Sequence, residues 1–258
     1  MRTTLISFDL QSGFGVFKKP DVNQDLQLTY NMMHKPALLG ILGAIVGLEG
    51  YQKRGEYPAY YQALRHLRVG IEPLRHEKGN FVKTSIKYTN TVGYANLDGT
   101  LIVTEQTLRF PAYRCYALLD LDEPLQALLH ERILAGEAEY LPYIGKNECA
   151  AWWEEARTHE FSETSPPSSF EVATIFAKDG LEVRTATQEG REETADILEL
   201  DLQPENFIYF ERLPLDFNEH LVQYRLVDFA YTKFRLKPGV HLEGLVHLTK
   251  ENKYVQLL

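Results

Sequence analysis

Apolar and polar residues alternate from the start of the chain, where Leu5, Ser7 and Asp9 interleave with Ile6, Phe8 and Leu10. A period of two predicts a strand over Thr3–Leu10. The pattern then changes to "NMMHKPALLGILGAIVGLEGY", residues 31–51, the most apolar run in the chain, which carries four glycines. Its uninterrupted apolar part, Ala37 to Leu48, has twelve residues, whereas a bilayer core needs about 20 at the helical rise. It predicts a buried helix, with Pro36 in the first turn and Gly50 near the end. At about 100° per residue, Gly40, Gly43 and Gly47 form one smooth stripe. Each glycine costs roughly 0.8–1 kcal/mol in helix propensity, so close packing on the sheet is expected at Gly43 and Gly47.

Further along, a helix is expected around Tyr57–Leu67, and alternation returns at "FVKTSIKY", Phe81–Tyr88, as a second strand. "TVGYANLDGTLIV" reads as a hairpin turning at Asp98-Gly99. A third strand is expected over Ala112–Leu121. "DEPLQALLHERILAGE" predicts a helix with Asp122 as N-cap, Pro124 just inside, Leu125, Leu128, Leu129 and Ile133 on one face, and Gly136 as its stop. A short strand over Tyr140–Ile144 and a helix from Asn147 to about His159 lead to "SETSPPSS", a linker. Beyond it the pattern is β: a hairpin around Lys178-Asp179-Gly180, then strands in "NFIYFERLPL", "VQYRLVDFAYTKFRL" and "VHLEGLVHLT".

This order predicts an α+β protein: a ferredoxin-like βαββαβ domain over residues 1–161 and a mostly antiparallel β domain over 162–258. With 44% hydrophobic and 24% charged residues, the composition is globular. Two cysteines, Cys115 and Cys149, are too few for a disulfide framework or a cysteine zinc site. No signal-peptide pattern opens the chain, so a reducing cytoplasm is the expected location and no membrane contact is expected.

Charge sharpens the picture. The net charge of -9 lies entirely in residues 151–258, with eleven Lys and Arg against twenty Asp and Glu, while residues 1–150 balance. Within Tyr51–Lys87, eight basic residues face three acids, with His66 and His76 in addition. Signatures for nucleotide P-loops, nucleophile elbows and metal-binding helices are absent, and "GFG" at Gly13–Gly15 lacks the third glycine of a dinucleotide fingerprint. No metal or cofactor is expected. What remains is basic residues interleaved with aromatics, the combination that single-stranded nucleic acid requires. Lys18 and Lys19 follow the first strand, while Lys83 and Lys87 share a strand face with Phe81 and Ser85. Tyr30, His34 and Lys35 precede the positive end of the first helix, which suits a phosphate. A solvated lysine face and an ordinary helix start account for the same residues, and the consensus of RNA-recognition strands is missing.

Four segments in order carry a resemblance: "FDLQSGFGVFKKP", "HKPALLGILGAIVGLEGY", "TEQTLRFPAYRCYALL" and "YLPYIGKNECAAW", with a weaker fifth, "YFERLPLDFNEHLVQYRLVDFAYT". Together they resemble the CRISPR-associated Cas-five family of the RAMP superfamily, most closely its subtype I-B branch. The resemblance implies a non-catalytic subunit of the Cascade complex that caps the 5′ handle of the CRISPR RNA. It implies contact with the backbone subunit of Cas family seven and the large subunit of Cas family eight, and with target DNA only within the complex. It also implies a β-hairpin thumb, between about Arg75 and Phe110, bearing Arg75, Lys78, Lys83, Lys87 and Arg109. Lys18, Tyr30, His34, Lys35 and Lys146 align with segments near the handle, and Lys19 lies beside them. Gly145 would permit close backbone approach and Tyr143 would stack or be buried. Two alternatives stay open. In subtype I-C the family member itself cuts precursor RNA without metal, and Tyr30, His34, Lys35, His66 and His76 are the residues available here for that chemistry. A protein-only scaffold is the other.

Overall fold

The computed structural model describes residues 2–20, 26–53, 55–89, 102–163, 165–183, 197–199, 201, 203–218 and 223–258. Its centre is a four-stranded antiparallel sheet built from β1 (Thr3–Ser12), β2 (Arg68–Leu74), β5 (Ala112–Asp120) and β6 (Ala151–His159). Their spatial order is β2-β5-β1-β6. Between β2 and β5 the chain forms an antiparallel pair, β3 (Lys83–Thr89) and β4 (Ile102–Arg109). Its connection, including the expected Asp98-Gly99 turn, lies outside the described residues.

Helix α1 (Lys35–Val46) follows β1, α2 (Ala59–Leu64) precedes β2, and α3 (Pro124–Ala135) joins β5 to β6. α1 places Pro36 in its first turn and stops at Gly47, whose left-handed φ of 79° lets Leu48 N–H reach the Gly43 carbonyl at 2.8 Å. The stop thus falls before Gly50. The glycine stripe turns away from the sheet: Tyr60 of α2 sits against Gly43, its ring would lie 3.5 Å from a Cβ at Gly40, and Gly47 meets the Glu139 side chain. The sheet is met by Leu38, Leu39, Leu42 and Ile45, all fully buried and worth roughly 1.5–3 kcal/mol each. α3 stops at Gly136 as expected, but its N-cap is Glu123, which accepts from Leu125 N–H at 3.2 Å.

Four further expectations are corrected. The strand that pairs with β5 is Arg68–Leu74, not Phe81–Tyr88. Gly70 and Pro73 hide it, since both residues are depleted in strands. β2 tolerates them because it is an edge strand, where proline needs no ladder partner, and because a Cβ at position 70 would meet the Gln256 carbonyl at 2.8 Å. Residues 140–144 hold only an isolated bridge at Tyr143, and the expected helix from Asn147 is instead β6, the other edge of the sheet. Trp153 explains the choice: its side chain packs against α3 and its indole N–H donates to the Ile133 carbonyl at 3.0 Å. Finally, the chain turns at Lys178–Gly180, but the arms on either side pair with different strands, Phe176–Ala177 with Tyr224–Thr232 and Leu181–Val183 with Val240–Leu242.

Among its described residues the C-terminal half has strands and no α-helix, with one 3-10 turn at Lys178–Gly180. β7 (Ile208–Phe217) and β8 (Tyr224–Thr232) pair antiparallel, as do β9 (Leu245–Leu248) and β10 (Lys253–Gln256). Leu213, Phe217, Val227, Phe229 and Tyr231 enter the same core as β1, α1 and α3. From the other side of the sheet, Val246, Leu248, Val255 and Leu257 bury Leu5 and Tyr116. No helix among the described residues is long and apolar enough to cross a membrane.

Candidate nucleic-acid interface

A groove of about 590 Å3 runs along α1, with Gly40, Ile41 and Ala44 in its floor. Into it the fold brings Lys18, His34, Tyr143, Gly145 and Lys146, which come from three separate segments of the chain. Tyr51, Tyr60, Tyr140 and Tyr224 line it too, so its walls are largely aromatic. Tyr140 and Tyr143 stand on the rim, 50% and 44% exposed. Lys18 is exposed and makes no ion pair among the described residues. Gly145 has φ of 81°, and a Cβ there would collide with the Val16 carbonyl. Its close backbone approach is therefore to its own chain, where Val16 N–H donates to the Ile144 carbonyl at 3.1 Å.

His34 is the N-cap of α1, its Nδ1 accepting from Ala37 N–H at 3.2 Å. With Nδ1 so engaged, the ring proton belongs on Nε2. Phe17, Tyr30 and Tyr224 surround the ring with centroids 5.5–5.7 Å away. Burial pushes its pKa down to about 3, so it is a neutral donor rather than a cation. Lys146 is clamped between the strands of the β3–β4 pair: its ammonium lies 2.5 and 2.6 Å from the two Glu105 oxygens and 5.1 Å from the centroid of the Tyr88 ring. Burial opposes its charge, but the Glu105 carboxylate outweighs this and holds its pKa above the usual lysine value.

A second grouping gathers Lys19, Tyr30 and Lys83 around Asn31 and Glu211. Lys19 sits 5.0 Å from the Tyr30 ring centroid and 3.6 Å from Glu211, and Lys83 donates to Asn31 Oδ1 at 2.9 Å. Burial lowers the Lys83 pKa, with Glu211 opposing and Lys19 adding to the shift. Glu211 also accepts from the main-chain N–H groups of Asn31 and Met32 at 3.0 Å. Donors ahead of α1 that suit a phosphate are thus taken by the chain's own carboxylate. Tyr30 is buried in the core.

The remaining residues fall elsewhere. Arg75, Lys78 and Arg109 line a separate cavity of about 800 Å3 with Phe81, Val82 and Phe110. Arg75, Lys78 and Phe110 all have left-handed φ, between 47° and 54°, a conformation that costs non-glycine residues about 1–3 kcal/mol and clusters at functional sites. Arg75 donates to Gln11 Oε1 at 2.7 Å, and Arg109 lies 5.4 Å from the Phe110 ring. Lys87 is exposed on β3, on the same face as Lys83 and Ser85. Lys35 points away from the groove, into a cavity of about 1060 Å3 beside α2 and β8. There its ammonium donates to the Leu258 main-chain oxygen at 2.9 Å, and burial pushes its pKa down to about 8 against the pull of Asp216.

The face of the central sheet away from the helices is closed to RNA-recognition-type stacking. One half is covered by β9 and β10, and the other carries the bidentate Arg114–Asp9 pair at 2.6 and 2.7 Å, with Glu72 bonded to Tyr116 and Lys253. Ser7, His159 and Glu251 line up at 2.7 and 2.9 Å in the order of a hydrolase relay, yet Ser7 is fully buried. Tyr30, His34, Lys35, His66 and His76 do not meet at one point: Tyr30 packs on His34, Lys35 and His66 line the cavity beside α2 with His66 3.4 Å from Gln126, and His76 bonds Tyr231 at 2.9 Å elsewhere. Among the described residues no group of three His, Cys, Asp or Glu is placed to hold a metal ion. Sequence reasoning missed Glu105 and Glu211. A carboxylate on the inward register of an alternating strand, as at Glu105 in "IVTEQTLR", is the signal that marks such residues.

No known family's sequence profile matches the chain, and no curated protein is similar to it. Solved structures similar to it include CRISPR-associated proteins. One is a CRISPR RNA-guided surveillance complex, with 11% identity, TM-score 0.47, and 90% of this chain and 91% of that chain covered. Another is a CRISPR protein from Archaeoglobus fulgidus, with 13% identity, TM-score 0.46, and 97% and 98% covered. A third is a Cas protein, with 12% identity, TM-score 0.40, and 92% and 96% covered. At such values these likenesses carry no weight in assigning what this chain binds.

Proposed function

We propose that this chain is a non-catalytic subunit of a type I-B Cascade complex that grips the 5′ handle of a CRISPR RNA. The observation that carries the reading is the groove. Segments resembling the Cas-five family, far apart in sequence, meet there and set a lysine with no ion pair among the described residues beside exposed tyrosines. The central sheet supports the same reading: its strands run, across the sheet, in the chain order fourth, first, third, second, with α1 and α3 as the crossovers, the arrangement of a ferredoxin-like domain. The β3–β4 pair is the thumb, presenting Lys87 outward. Lys18, Lys78, Lys87 and Arg109 contact phosphates, Tyr143 stacks on a base, His34 and Gly145 build the groove, and Tyr30 packs behind His34. The acid-rich region beyond residue 161 faces protein partners, the subunits of Cas families seven and eight. The complex acts in the cytoplasm and meets DNA only as an assembly.

Binding of the protein to a single-stranded 5′-handle oligonucleotide, measured across salt, tests this. Affinity should fall as salt rises, by about 0.7 in log–log slope per phosphate contact. Lys18→Glu should flatten that slope, and Tyr143→Ala should weaken binding by about 1–3 kcal/mol. No binding, together with unimpaired complex assembly by Lys18→Glu and Lys87→Glu, would sink the RNA reading in favour of a protein-only scaffold. The candidate acid–base residues fall in three places, Tyr30 with His34, Lys35 with His66 in the cavity beside α2, and His76 apart, and this division supports a non-enzyme. Specific metal-free cutting of repeat RNA that His34→Ala or His76→Ala abolishes would overturn that part.

A further inference from the structure

Glu105 projects from β4 with its side chain 4% exposed; Lys146 donates to its Oε1 at 2.6 Å and lies 2.5 Å from its Oε2, which accepts no hydrogen bond among the described residues. Its neighbours on that strand face are Thr107, whose buried hydroxyl has no partner among the described residues, and Ile86 across the pair. Tyr88, one step further along β3 on the same face, supports the lysine through its ring. Lys146 belongs to the turn closed by Cys149 N–H donating to the Lys146 carbonyl at 2.9 Å, the turn that also presents Tyr143 and Gly145 to the groove. One ion pair therefore fastens this turn to the hairpin, and it cancels one of the two lysine charges at that end of the groove.

We infer that Glu105 is a positioning residue that clasps the hairpin to the groove and withholds Lys146 from anionic ligands until the clasp is released. The inference rests on the RNA-binding reading for its consequence, not for the clasp. A phosphate that takes Lys146 strands a buried carboxylate, which is far costlier than leaving an exposed one. Among the described residues Lys18 has no such competitor, so in the clasped state it carries the electrostatics of the groove. Counting both lysines as free cations overstates the attraction for RNA by one charge.

Two measurements on the full chain test this. In competitive acetylation of lysines, read by peptide mass spectrometry, Lys146 should react about tenfold more slowly than Lys18, and Glu105→Gln should bring it to a similar rate. Equal rates in the unaltered protein would refute the clasp whether or not RNA binds. In handle-oligonucleotide binding at low salt, Glu105→Gln should raise affinity about fivefold and steepen the salt slope by about 0.7. The charge-neutral combination of Glu105→Gln with Lys146→Met should return the slope to the starting value. A flatter slope in that double variant than in the unaltered protein means Lys146 already contacts RNA, and withholding is wrong. Acetylation as expected with no RNA binding by any variant leaves the clasp standing and sinks the proposed function.

Discussion

Acidification should weaken this protein through His34. The ring is buried at the head of α1 and its folded pKa is about 3, against an ordinary value of 6.5. The folded state thus refuses a proton that the unfolded chain accepts. Stability is fully present above about pH 6.5 and is lost as pH falls toward 3, at about 1.4 kcal/mol per unit. Between about pH 7.5 and pH 5, linkage gives a loss of about 2 kcal/mol from this residue alone. For a chain of this size that lowers the melting temperature by roughly 4–8 °C. His34→Asn isolates the effect, because asparagine also caps a helix N-terminus but has no proton to gain in this range. Urea unfolding of both proteins at the two pH values supplies the double difference, which cancels the contributions of His76 and His159, whose pKa values burial also lowers. If both proteins lose the same stability on acidification, the buried neutral imidazole is not the cause.

Gly145→Ala should destabilise by about 3 kcal/mol, combining left-handed strain with loss of the Val16–Ile144 hydrogen bond. A melting temperature within about 2 °C of the unaltered protein would contradict this. Glu211→Ala should cost a similar amount, about 3 kcal/mol, because the N–H groups of Asn31 and Met32 lose their acceptor in a part-buried site. Urea unfolding checks it, and Glu211→Gln should recover part of the loss.

Local signals were legible wherever one residue type is required by backbone geometry or by a continuous apolar face. β1, α1 with Pro36, α3 with its Gly136 stop, and the strand over Ala112–Asp120 are of this kind. So was the concentration of basic residues around the hairpin. The pairing partners were not. Arg68–Leu74 carries a glycine and a proline that read as loop, and becomes a strand only because an edge beside β5 accepts them. Residues 151–159 read as helix until β1 offers an unpaired edge and α3 a surface for Trp153.

The same division applies to the candidate site. Sequence alone determined which side chains can meet an anion or a base, because charge and aromaticity are properties of the residue. Tertiary structure decided which of them are free to do so. Packing buries Tyr30 and neutralises His34, turns Lys35 to another cavity, and places Glu105 and Glu211, distant in sequence, against Lys146 and Lys19. The physical reason is desolvation. A buried charge must find a partner within the fold, and that partner is set by three-dimensional proximity rather than by spacing along the chain.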